Sequence, residues 1–375
     1  MDNHLHQAQR AAKRRRIGRF FARTIGAIFG IALAAVIGML VVLSATEYNP
    51  GDFESVSPTG HASKALNTDE EITLLSWNIG YGALGDNADF FMDGGTGVIT
   101  ATKERVEQNT AAVTSEIESA SPDIVLLQEV DSHSNRSSFI DQVRTVSSQA
   151  PNMESAFALN YKTLFVPYGI PPYGEINSGL CTLSSFASRS AQRLALPPAF
   201  DWPLSTMQLK RCQLVTRYPV EGTDKELVVV NEHPDAYTSK ERYAAQLDEI
   251  RSFLEDEAAA GNYVVAGGDW NHTFESVDTS AYPLLPTTGW VAGVLEEDFL
   301  SPGWQYAMDN THPTCRLLDH PLVDANGTPT TEPVQYYVID GFIVSGNIRI
   351  VSTETQDRGF VASDHNPVVM KIVLE

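Results

Sequence analysis

Cysteine is scarce in this sequence, which contains only Cys181, Cys212 and Cys315 among 375 residues. Three thiols cannot form a disulfide scaffold and cannot supply the four thiolates of a structural zinc site. Two states remain open: three unpaired buried cysteines, or one disulfide with one free thiol. Hydrophobic residues make up 43% of the chain and charged residues 19%, so a sizeable core is expected and wholesale disorder is excluded.

Basic residues are also few, at 26 against 47 acidic residues, which gives a formal net charge of −21. Residues 1–23 nevertheless hold seven basic groups and one acid, leaving 19 basic and 46 acidic groups in the rest of the chain. So acidic a body repels polyanions at long range, which disfavours a protein that coats DNA or RNA broadly. The seven basic residues are Arg10, Lys13, Arg14, Arg15, Arg16, Arg19 and Arg23.

One long hydrophobic run is present, the nineteen residues from Ile25 to Leu43. As a helix it would cover about 28 Å, close to the hydrocarbon thickness of a bilayer. We therefore predict a transmembrane anchor over residues 25–45, in contact with the lipid bilayer. The positive-inside rule places residues 1–24 in the cytoplasm and the rest of the chain outside. The alternative is a signal peptide whose cleavage releases a secreted protein; its apolar region is normally about 7–15 residues long.

Residues 46–70 are polar, contain Pro, Gly and Ser, and show no periodicity, so we predict a flexible tether there. From residue 71 to 375, apolar β-branched runs alternate with helical patterns, which predicts one α/β domain. The predicted helices are Lys103–Ala120 and Ser239–Ala260, the second with a Thr238-x-x-Glu241 capping box. The predicted strands are Ile72–Trp77, Ile124–Gln128, Glu226–Asn231, Tyr263–Ala266, Tyr336–Val344 and Pro367–Leu374.

Polar side chains lie beside each of these strands, most of them at a strand end. In open α/β sheets the ligand crevice lies at strand ends, so these side chains are candidates for one site. Residues 140–225 and 272–335 lack a clear period and are predicted to form long functional loops. The polar residues beside the strands are Asn78, Glu129, His233, Asp269, Asn271, Asp340, Asp364 and His365.

The chemistry of these residues is coherent. Carboxylate and amide oxygens without a thiolate suit Mg²⁺, Mn²⁺ or Ca²⁺ better than structural zinc. An Asp-x-Asn pair on an extended segment projects both side chains to one side, so Asp269 and Asn271 can address one small site. A histidine supported by a carboxylate can stabilise a developing oxyanion. Together these features indicate hydrolysis of a phosphate ester.

Five motifs, in this order and spacing, resemble the endonuclease/exonuclease/phosphatase superfamily of DNase I-like, metal-dependent phosphoesterases. The resemblance covers residues 71–375 and implies a four-layer α/β sandwich of two packed mixed sheets flanked by helices. Each motif alone is weak, whereas five in order are specific. The motifs are Trp77-Asn78, Gln128-Glu129-Val130-Asp131, Gly268-Asp269-Trp270-Asn271, Ile339-Asp340-Gly341-Phe342 and Ser363-Asp364-His365-Asn366-Pro367-Val368.

The resemblance implies roles for individual residues. Glu129, assisted by Asn78, resembles the main site for Mg²⁺ or Mn²⁺, and Asp364 resembles a further metal-binding or water-positioning acid. Asp269 and Asn271 resemble the pair that positions or deprotonates the attacking water and contacts the phosphate.

The histidines and their partners complete the set. His365 resembles the histidine that stabilises the transition state, with Asp340 as its orienting carboxylate. His233 resembles a second histidine facing the phosphate or the leaving group, and Glu232 is expected to pair with it and raise its pKa. Arg136 and Lys162 are candidate phosphate contacts because cations are scarce in so acidic a domain.

One departure from typical nucleases is the long stretch from Gly80 to Gly97, which resembles a membrane-anchored bacterial branch of the superfamily. The resulting expectation is a membrane-anchored phosphoesterase that acts on a phosphodiester, either nucleic acid or a phospholipid head group, and needs no obligate protein partner. Two alternatives stay open: a phosphomonoesterase of the inositol-phosphate type, and a catalytically silent binding module tethered to the surface.

Overall fold

The computed structural model describes residues 2–286 and 290–375 and divides the chain into two units, the first ending at Glu47 and the second spanning Tyr48–Glu375. The helices are α1 (Asp2–Ala45), α2 (Lys103–Ala120), α3 (Gln142–Gln149) and α4 (Lys240–Ala259). The strands are β1 (Phe53–Val56), β2 (Thr59–Gly60), β3 (Ile72–Asn78), β4 (Ile124–Asp131), β5 (Glu154–Val166), β6 (Gly174–Ser184), β7 (Ser190–Ala195), β8 (Cys212–Pro219), β9 (Glu226–Glu232), β10 (Tyr263–Asp269), β11 (His272–Phe274), β12 (Gly293–Leu295), β13 (Gln305–Ala307), β14 (Cys315–Arg316), β15 (Tyr336–Tyr337), β16 (Asp340–Val344), β17 (Ile348–Thr355) and β18 (Val368–Leu374).

The first unit is the single helix α1, 44 residues long. Its segment Lys13–Ala45 reaches a mean hydropathy of 2.7, and by length and composition it can cross a membrane. The helix begins well before the predicted anchor, because the basic segment is helical as well.

The second unit is built on two seven-stranded mixed sheets. Sheet A has the strand order β1-β7-β8-β9-β10-β16-β13, and sheet B has the order β17-β18-β3-β4-β6-β5-β2. Each sheet contains one central parallel pair, β9 with β10 in sheet A and β3 with β4 in sheet B. Strands β11 and β12 pair separately, as do β14 and β15.

The main core lies between the two sheets. Leu74 and Leu126 of sheet B are fully buried in one apolar cluster with Val229, Val265 and Phe342 of sheet A. On the far side of sheet B, α2 contributes Val113 and Ile117 to a second cluster, and on the far side of sheet A, α4 contributes Ile250 and Leu254 to a third. The layer order is helix, sheet, sheet, helix, which confirms the predicted four-layer sandwich.

The helix starts follow ordinary capping chemistry. The Thr102 hydroxyl accepts a hydrogen bond from the Arg105 backbone N–H at 3.3 Å at the start of α2, whose bounds match the prediction. At α4 the cap is Ser239, whose hydroxyl accepts from the Arg242 N–H at 3.4 Å. The predicted cap at Thr238 therefore lies one residue too early.

The predicted tether of residues 46–70 needs correction. Strand β1 pairs with β7 at the edge of sheet A, β2 pairs with β5 at the edge of sheet B, and Leu66 is only 2% exposed in the core between the sheets. The folded unit therefore begins near Tyr48 rather than at residue 71.

The predicted loops also need correction. Residues 140–225 contain helix α3 and four strands, β5 to β8, of which β5 and β6 are the two longest in the described chain. Residues 272–335 hold only short strands in their described part, which fits the prediction better. The predicted strand Tyr336–Val344 is divided, because β15 pairs with β14 whereas β16 crosses to sheet A and pairs with β10.

The structure decides between the two states left open for the cysteines. Cys181, Cys212 and Cys315 are all buried and unpaired. Burial raises the pKa of the first two thiols to about 11, so both are protonated at neutral pH and behave as small apolar side chains.

Candidate active site

The polar residues predicted at the strand ends lie together, and they come from both sheets. From sheet A, Asp269 ends β10 and is paired in register with Asp340, the first residue of β16, while His233 directly follows β9. From sheet B, Asn78 ends β3, and Asp364 and His365 precede β18. These side chains line one cavity, except for Asp340, which lies behind His365.

Asn78 joins the two halves of the site. Its side-chain amide donates to Asp269 Oδ2 at 3.0 Å and to Glu129 Oε1 at 3.4 Å. Its own amide oxygen accepts from the Gly80 backbone N–H at 3.0 Å, which fixes the orientation of the amide. The sequence prediction that Asn78 belongs to the site, rather than only capping a turn, therefore agrees with its contacts.

Asp269 lies between two imidazoles. Its Oδ2 is 3.4 Å from His233 Nε2 and 3.6 Å from His365 Nε2. Burial opposes ionisation of Asp269, but the two histidines and the hydrogen bond from Asn78 outweigh it and lower the pKa of the carboxyl group. Asp269 is therefore a carboxylate at neutral pH.

The surroundings of His365 favour its protonated form. Its Nδ1 donates to Asp340 Oδ2 at 2.9 Å, and its main-chain carbonyl accepts from the Trp77 indole N–H at 2.8 Å. Burial disfavours the cation, but the charge of Asp340, together with that of Asp269, raises the pKa of His365 well above its ordinary value. Asp340 thus orients the ring, as the sequence predicts.

His233 is in the opposite state. Burial and the positive charge of Arg211 lower the pKa of His233 well below its ordinary value, so the ring is neutral at neutral pH. The expected pairing with Glu232 is wrong: successive strand residues point to opposite faces, and Glu232 Oε1 accepts from the Gln213 amide at 2.7 Å instead.

Asn271 is held beside Asp269 by a turn. Its backbone has a φ of +53°, in the left-handed region, and its N–H donates to Asp269 Oδ1 at 2.9 Å. Its side-chain amide donates to the Pro234 carbonyl at 3.1 Å. The two residues share one site as predicted, although a turn places them there rather than an extended strand.

Glu129 and Asp364 form the side of the site that suits a metal ion. Glu129 has a φ of +55° at an irregularity in the pairing of β4 with β6, which turns the side chain into the cavity. Burial, with a contribution from the charge of Glu129, raises the pKa of Asp364 to about 7. A divalent cation would relieve this repulsion, and the carboxylate oxygens of Glu129 and Asp364 match the preference of Mg²⁺ or Mn²⁺, while Asn78 holds Glu129 through its amide N–H.

A second group, Asp269, Asp340 and His365, also brings potential ligand atoms within 4.8 Å of one another. Here the proton on His365 already balances carboxylate charge and occupies Asp340. A metal ion bound to this group would displace the hydrogen bond between His365 and Asp340.

Asp93 is a site residue that the sequence reasoning missed. It belongs to the long stretch from Gly80 to Gly97, lines the cavity and accepts from the Tyr237 hydroxyl at 2.6 Å. Burial raises its pKa to about 6. The sequence did offer a signal for Asp93. It follows the aromatic residues Phe90 and Phe91, in a stretch that is unlike the short loop of typical nucleases.

The cavity has a volume of about 410 Å³, in the range of pockets that enclose small molecules. Aromatic side chains dominate the wall away from the acids, and Phe91 stacks on Tyr168 with ring centres 4.1 Å apart. The aromatic wall includes Tyr81, Phe90, Phe91, Tyr168, Tyr173 and Trp290.

The two cations predicted to contact phosphate are placed differently. Arg136 lines the cavity, but its guanidinium donates to both oxygens of Asp131 at 3.0 and 3.1 Å and to the Tyr173 hydroxyl at 2.8 Å. Lys162 is exposed on β5 with its ammonium over the Tyr48 ring, and it does not line the cavity. Both predictions need correction, since Arg136 is committed to internal partners and Lys162 lies elsewhere.

Comparison with known proteins agrees with this geometry. No curated protein matches the chain in sequence. In three dimensions the chain resembles an endonuclease/exonuclease/phosphatase from Beutenbergia cavernae DSM 12333, with 17% identity and a TM-score of 0.51 over 81% of this chain and 72% of that one. It also resembles an endonuclease/exonuclease/phosphatase from Bacteroides vulgatus, with 15% identity and a TM-score of 0.51 over 82% of this chain and 100% of that one.

At identities this low, the two solved structures show that the chain shares their fold and nothing further. The family is shown by sequence, because the model of the Endonuclease/Exonuclease/phosphatase family matches residues 75–365. That range begins before Asn78 and ends at His365, so it contains the residues assembled above. The chain belongs to the endonuclease/exonuclease/phosphatase family, whose members hydrolyse phosphoester bonds.

Proposed function

We propose that this protein hydrolyses a phosphodiester with the help of a divalent metal ion, Mg²⁺ or Mn²⁺, and a water molecule that attacks in line. The observation that supports this most directly is the position of ionised Asp269 between a neutral and a protonated histidine. One buried base beside one buried acid is the arrangement that general acid–base catalysis requires.

Each residue has a separate role in the proposed mechanism. The carboxylate of Asp269 orients the attacking water and accepts its proton, while the Asn271 N–H and the Asn78 amide keep that carboxylate in place. His365 presents an Nε2–H group to the phosphate, where it stabilises negative charge as the bond to water forms. Glu129 and Asp364 would hold the metal ion, and Asn78 would assist by fixing Glu129 through its amide N–H. When bound, the ion neutralises the phosphate and the charge that develops on it.

The cavity gives a reason to prefer a diester over an inositol phosphate. A ligand with several phosphates needs several free cations, whereas Arg136 and Arg316 at this cavity are already bonded to groups of the protein. An aromatic wall instead suits a phosphodiester that carries a planar or apolar group next to the phosphate. A flexible single strand or a lipid head group enters an enclosed cavity of this size more readily than a duplex.

The test uses the full chain in detergent with bis(p-nitrophenyl) phosphate, p-nitrophenyl phosphate, single-stranded DNA and phospholipid vesicles as substrates. We expect turnover of a diester with Mg²⁺ or Mn²⁺ and none in EDTA. Asp269→Asn and His365→Gln should each lower kcat by about 10²–10⁴-fold, since each removes a group that acts in the transition state.

Matched controls are Asp324→Asn and His61→Gln, which alter exposed residues of the same types. Turnover in EDTA, or full activity in both active-site variants, would contradict the mechanism. Faster hydrolysis of the monoester would favour the phosphomonoesterase. A wild-type protein that binds these compounds without turnover would favour the silent binding module.

A further inference from the structure

Exposed apolar side chains surround the mouth of the cavity. Tyr168 and Met92 line the cavity and are 49% and 39% exposed, so they mark the place where it opens to solvent. Just beyond them, Ile170 is fully exposed, and Trp202 and Leu204 are more than half exposed. We call these five residues the rim. Removing apolar side chains from water is favourable, so a contiguous exposed group of this kind indicates a contact surface.

The rim is one surface because its segments are in contact with each other. The loop between β7 and β8, which carries two rim residues, lies along β5, where the Thr163 hydroxyl donates to the Thr206 carbonyl at 3.3 Å. Strand β5 then leads into the turn before β6, which carries two more. Met92 joins them because its neighbour Phe91 stacks on Tyr168 with ring centres 4.1 Å apart. Three segments that are distant in sequence therefore form a single surface.

Charge is almost absent from the two main segments of the rim. Residues 163–174 contain no charged side chain, and residues 194–209 contain only Asp201, although charged residues make up 19% of the chain. The carboxylate of Asp201 is paired with the guanidinium of Arg242 at 2.5 Å, so its charge is balanced. Moving this surface out of water therefore costs little, because almost no ion has to lose its hydration.

The composition of the rim fits a lipid surface better than a protein partner. Tyr and Trp are enriched where proteins meet the boundary between lipid and water, because their rings combine an apolar body with a polar tip. Tyr168 and Trp202 supply two such side chains beside the aliphatic Ile170 and Leu204. Binding at that boundary grows stronger with the apolar area that is buried, and such area is what the rim offers.

The apolar helix α1 gives a reason for a membrane to be near this surface. Only Thr46 and Glu47 lie between Ala45, the last residue of α1, and Tyr48, the first residue of the second unit, so the chain between them reaches about 10 Å at most. Tyr48 packs beside β5, with the ammonium of Lys162 5.7 Å from its ring centre. From Lys162 to the end of β5 is about 13 Å along the strand. A chain whose α1 is inserted in a bilayer therefore cannot carry the rim far from lipid.

We propose that the rim docks on the surface of a lipid bilayer and that the phosphodiester hydrolysed in the cavity belongs to a phospholipid of that surface. The docking depends on the rim itself, whereas the choice of substrate rests on the proposed function. Docking places the mouth of the cavity against the lipid, so a head group can enter while the acyl chains stay in apolar surroundings. Water adds to phosphorus and one phosphorus–oxygen ester bond breaks, so the water supplies the new hydroxyl of a phosphomonoester and the proton of the released alcohol.

A fluorescent label at the tip of the rim tests the docking. Nitrobenzoxadiazole is attached to Ile170→Cys in the full chain, which is then placed in phosphatidylcholine nanodiscs with and without doxyl-labelled lipid, a quencher that acts at short range. The native cysteines are buried, and burial raises the pKa of their thiols, so the label goes to the added cysteine. We expect the doxyl lipid to quench this label at least twofold.

The matched control carries the same label at Asp224→Cys. Asp224 is exposed in the turn between β8 and β9, at the opposite end of these strands from the cavity, and its label should show no quenching above background. Quenching at position 170 no stronger than at position 224 would overturn the inference. A blue-shifted but unquenched label at position 170, in discs whose mass corresponds to two chains, would show that a second copy covers the rim and would overturn it as well.

The double variant Ile170→Asp with Leu204→Asp tests the choice of substrate in the full chain. Neither residue lines the cavity, so hydrolysis of soluble bis(p-nitrophenyl) phosphate should stay within twofold of wild type, which also shows that the variant is folded. Hydrolysis of phospholipid in vesicles should fall at least tenfold. The control Val351→Asp changes an exposed valine of β17, the edge strand of sheet B farthest from β5, and should leave both activities within twofold of wild type.

The two proposals fail in different ways. Quenching at position 170, with no turnover of any phosphoester by wild type, supports the docking of the rim and contradicts the proposed function. Metal-dependent turnover of the soluble diester, with equal phospholipid hydrolysis in wild type and the double variant, supports the function and contradicts the role of the rim. Turnover of the soluble diester without any hydrolysis of phospholipid contradicts the choice of substrate.

Discussion

Two histidines within 4 Å of the same carboxylate oxygen have pKa values shifted in opposite directions in this site. Asp269 favours the cation of both, so the difference comes from their other neighbours. His365 bonds to the carboxylate of Asp340, whereas His233 has the guanidinium of Arg211 nearby and no partner for Nδ1 in the described chain. The carboxylate of Asp340 therefore favours the protonated form of His365, and the guanidinium of Arg211 favours the neutral ring of His233. Both groups are positioned by strands of sheet A.

Glu232 gives a prediction about pH and stability. Burial raises its pKa to about 8, against an ordinary value near 4.5, so folding favours its protonated form. Its stabilising contribution is complete below about pH 4.5 and is lost as pH rises through about 8. Between pH 5 and 8 the free energy of unfolding should fall with a slope of about 1 kcal/mol per pH unit from this residue.

Glu232→Gln should remove that part of the slope. Urea unfolding followed by tryptophan fluorescence measures it, because all five tryptophans lie after residue 47 and report on the second unit. The control Glu332→Gln changes an exposed glutamate and should keep the wild-type slope. Equal slopes in wild type and Glu232→Gln would show that Glu232 is ionised in the folded protein.

Most of the candidate catalytic residues could be predicted from sequence because they belong to motifs beside strands. The hydrogen-bond partners of the arginines that line the cavity could not be predicted. Whether an arginine is free depends on its neighbours in space, and Arg211 carries no motif. For Arg136 a signal existed, since Asp131 lies five residues earlier, at the end of the strand that Arg136 follows.

At the scale of elements, the stretch from Gly80 to Gly97 begins with a turn that packs against Asp364, one of the proposed metal ligands. Gly80 has a φ of +49°, and a Cβ there would lie 2.8 Å from Asp364 Oδ1 and 2.9 Å from Leu84 Cβ. We expect Gly80→Ala to displace Asp364 and weaken Mn²⁺ binding about 10–100-fold, the usual effect of disturbing the groups around metal ligands. Electron paramagnetic resonance titration of Mn²⁺ measures it.

The matched control is Gly222→Ala. Gly222 also has a left-handed backbone, with a φ of +76°, but a Cβ there would meet nothing within 4 Å. It introduces similar backbone strain and should leave Mn²⁺ affinity unchanged. Equal affinities in the two variants would argue against Asp364 as a metal ligand.

The segment between helix α1 and strand β3 gives a second prediction at this scale. Leu66 contributes to the core between the sheets, and its carbonyl accepts from the Glu221 N–H at 2.8 Å. Leu66→Ala should lower the free energy of unfolding by about 2–4 kcal/mol, as for other buried leucines. Leu164→Ala, at a leucine that is 50% exposed, should change it by less than about 0.5 kcal/mol. A flexible tether would give a small effect for both variants.

These elements escaped sequence prediction for a physical reason. Strands β1 and β2 join sheet edges, where backbone pairing needs no apolar run, and their residues are mostly exposed. Strand β5 carries Asn160, Lys162 and Thr163 in its middle, which hides the alternation of a long strand. Central strands such as β4 and β10 begin with a continuous buried apolar run, so both were predicted from their first residue, although each extends three residues beyond its predicted end.

For the whole molecule, the prediction concerns α1. We expect the full chain to stay with membranes after a carbonate wash, and a variant lacking residues 2–47 to remain in the supernatant with diesterase activity within twofold of the full chain. Replacing Arg14, Arg15 and Arg16 by Gln should leave the chain membrane-bound, because the apolar segment is intact.

The outcomes separate the alternatives for the N-terminus. A full chain that carbonate extracts would exclude a membrane span. A mature N-terminus beyond residue 44, found by mass spectrometry, would identify a cleaved signal peptide and a secreted enzyme. Protease accessibility of the second unit in intact cells tests the predicted orientation.

The two-sheet origin of the site has a consequence for when the protein can work. Sheet A alone carries Asp269, Asp340 and His233; sheet B alone carries Asn78 and Glu129 and leads into Asp364 and His365. In the proposed mechanism each sheet by itself is inert, because the base and the metal ligands come from different sheets. That mechanism predicts that a partly folded or locally opened chain does not cleave phosphoesters, and that hydrolysis begins only when the two sheets are packed together.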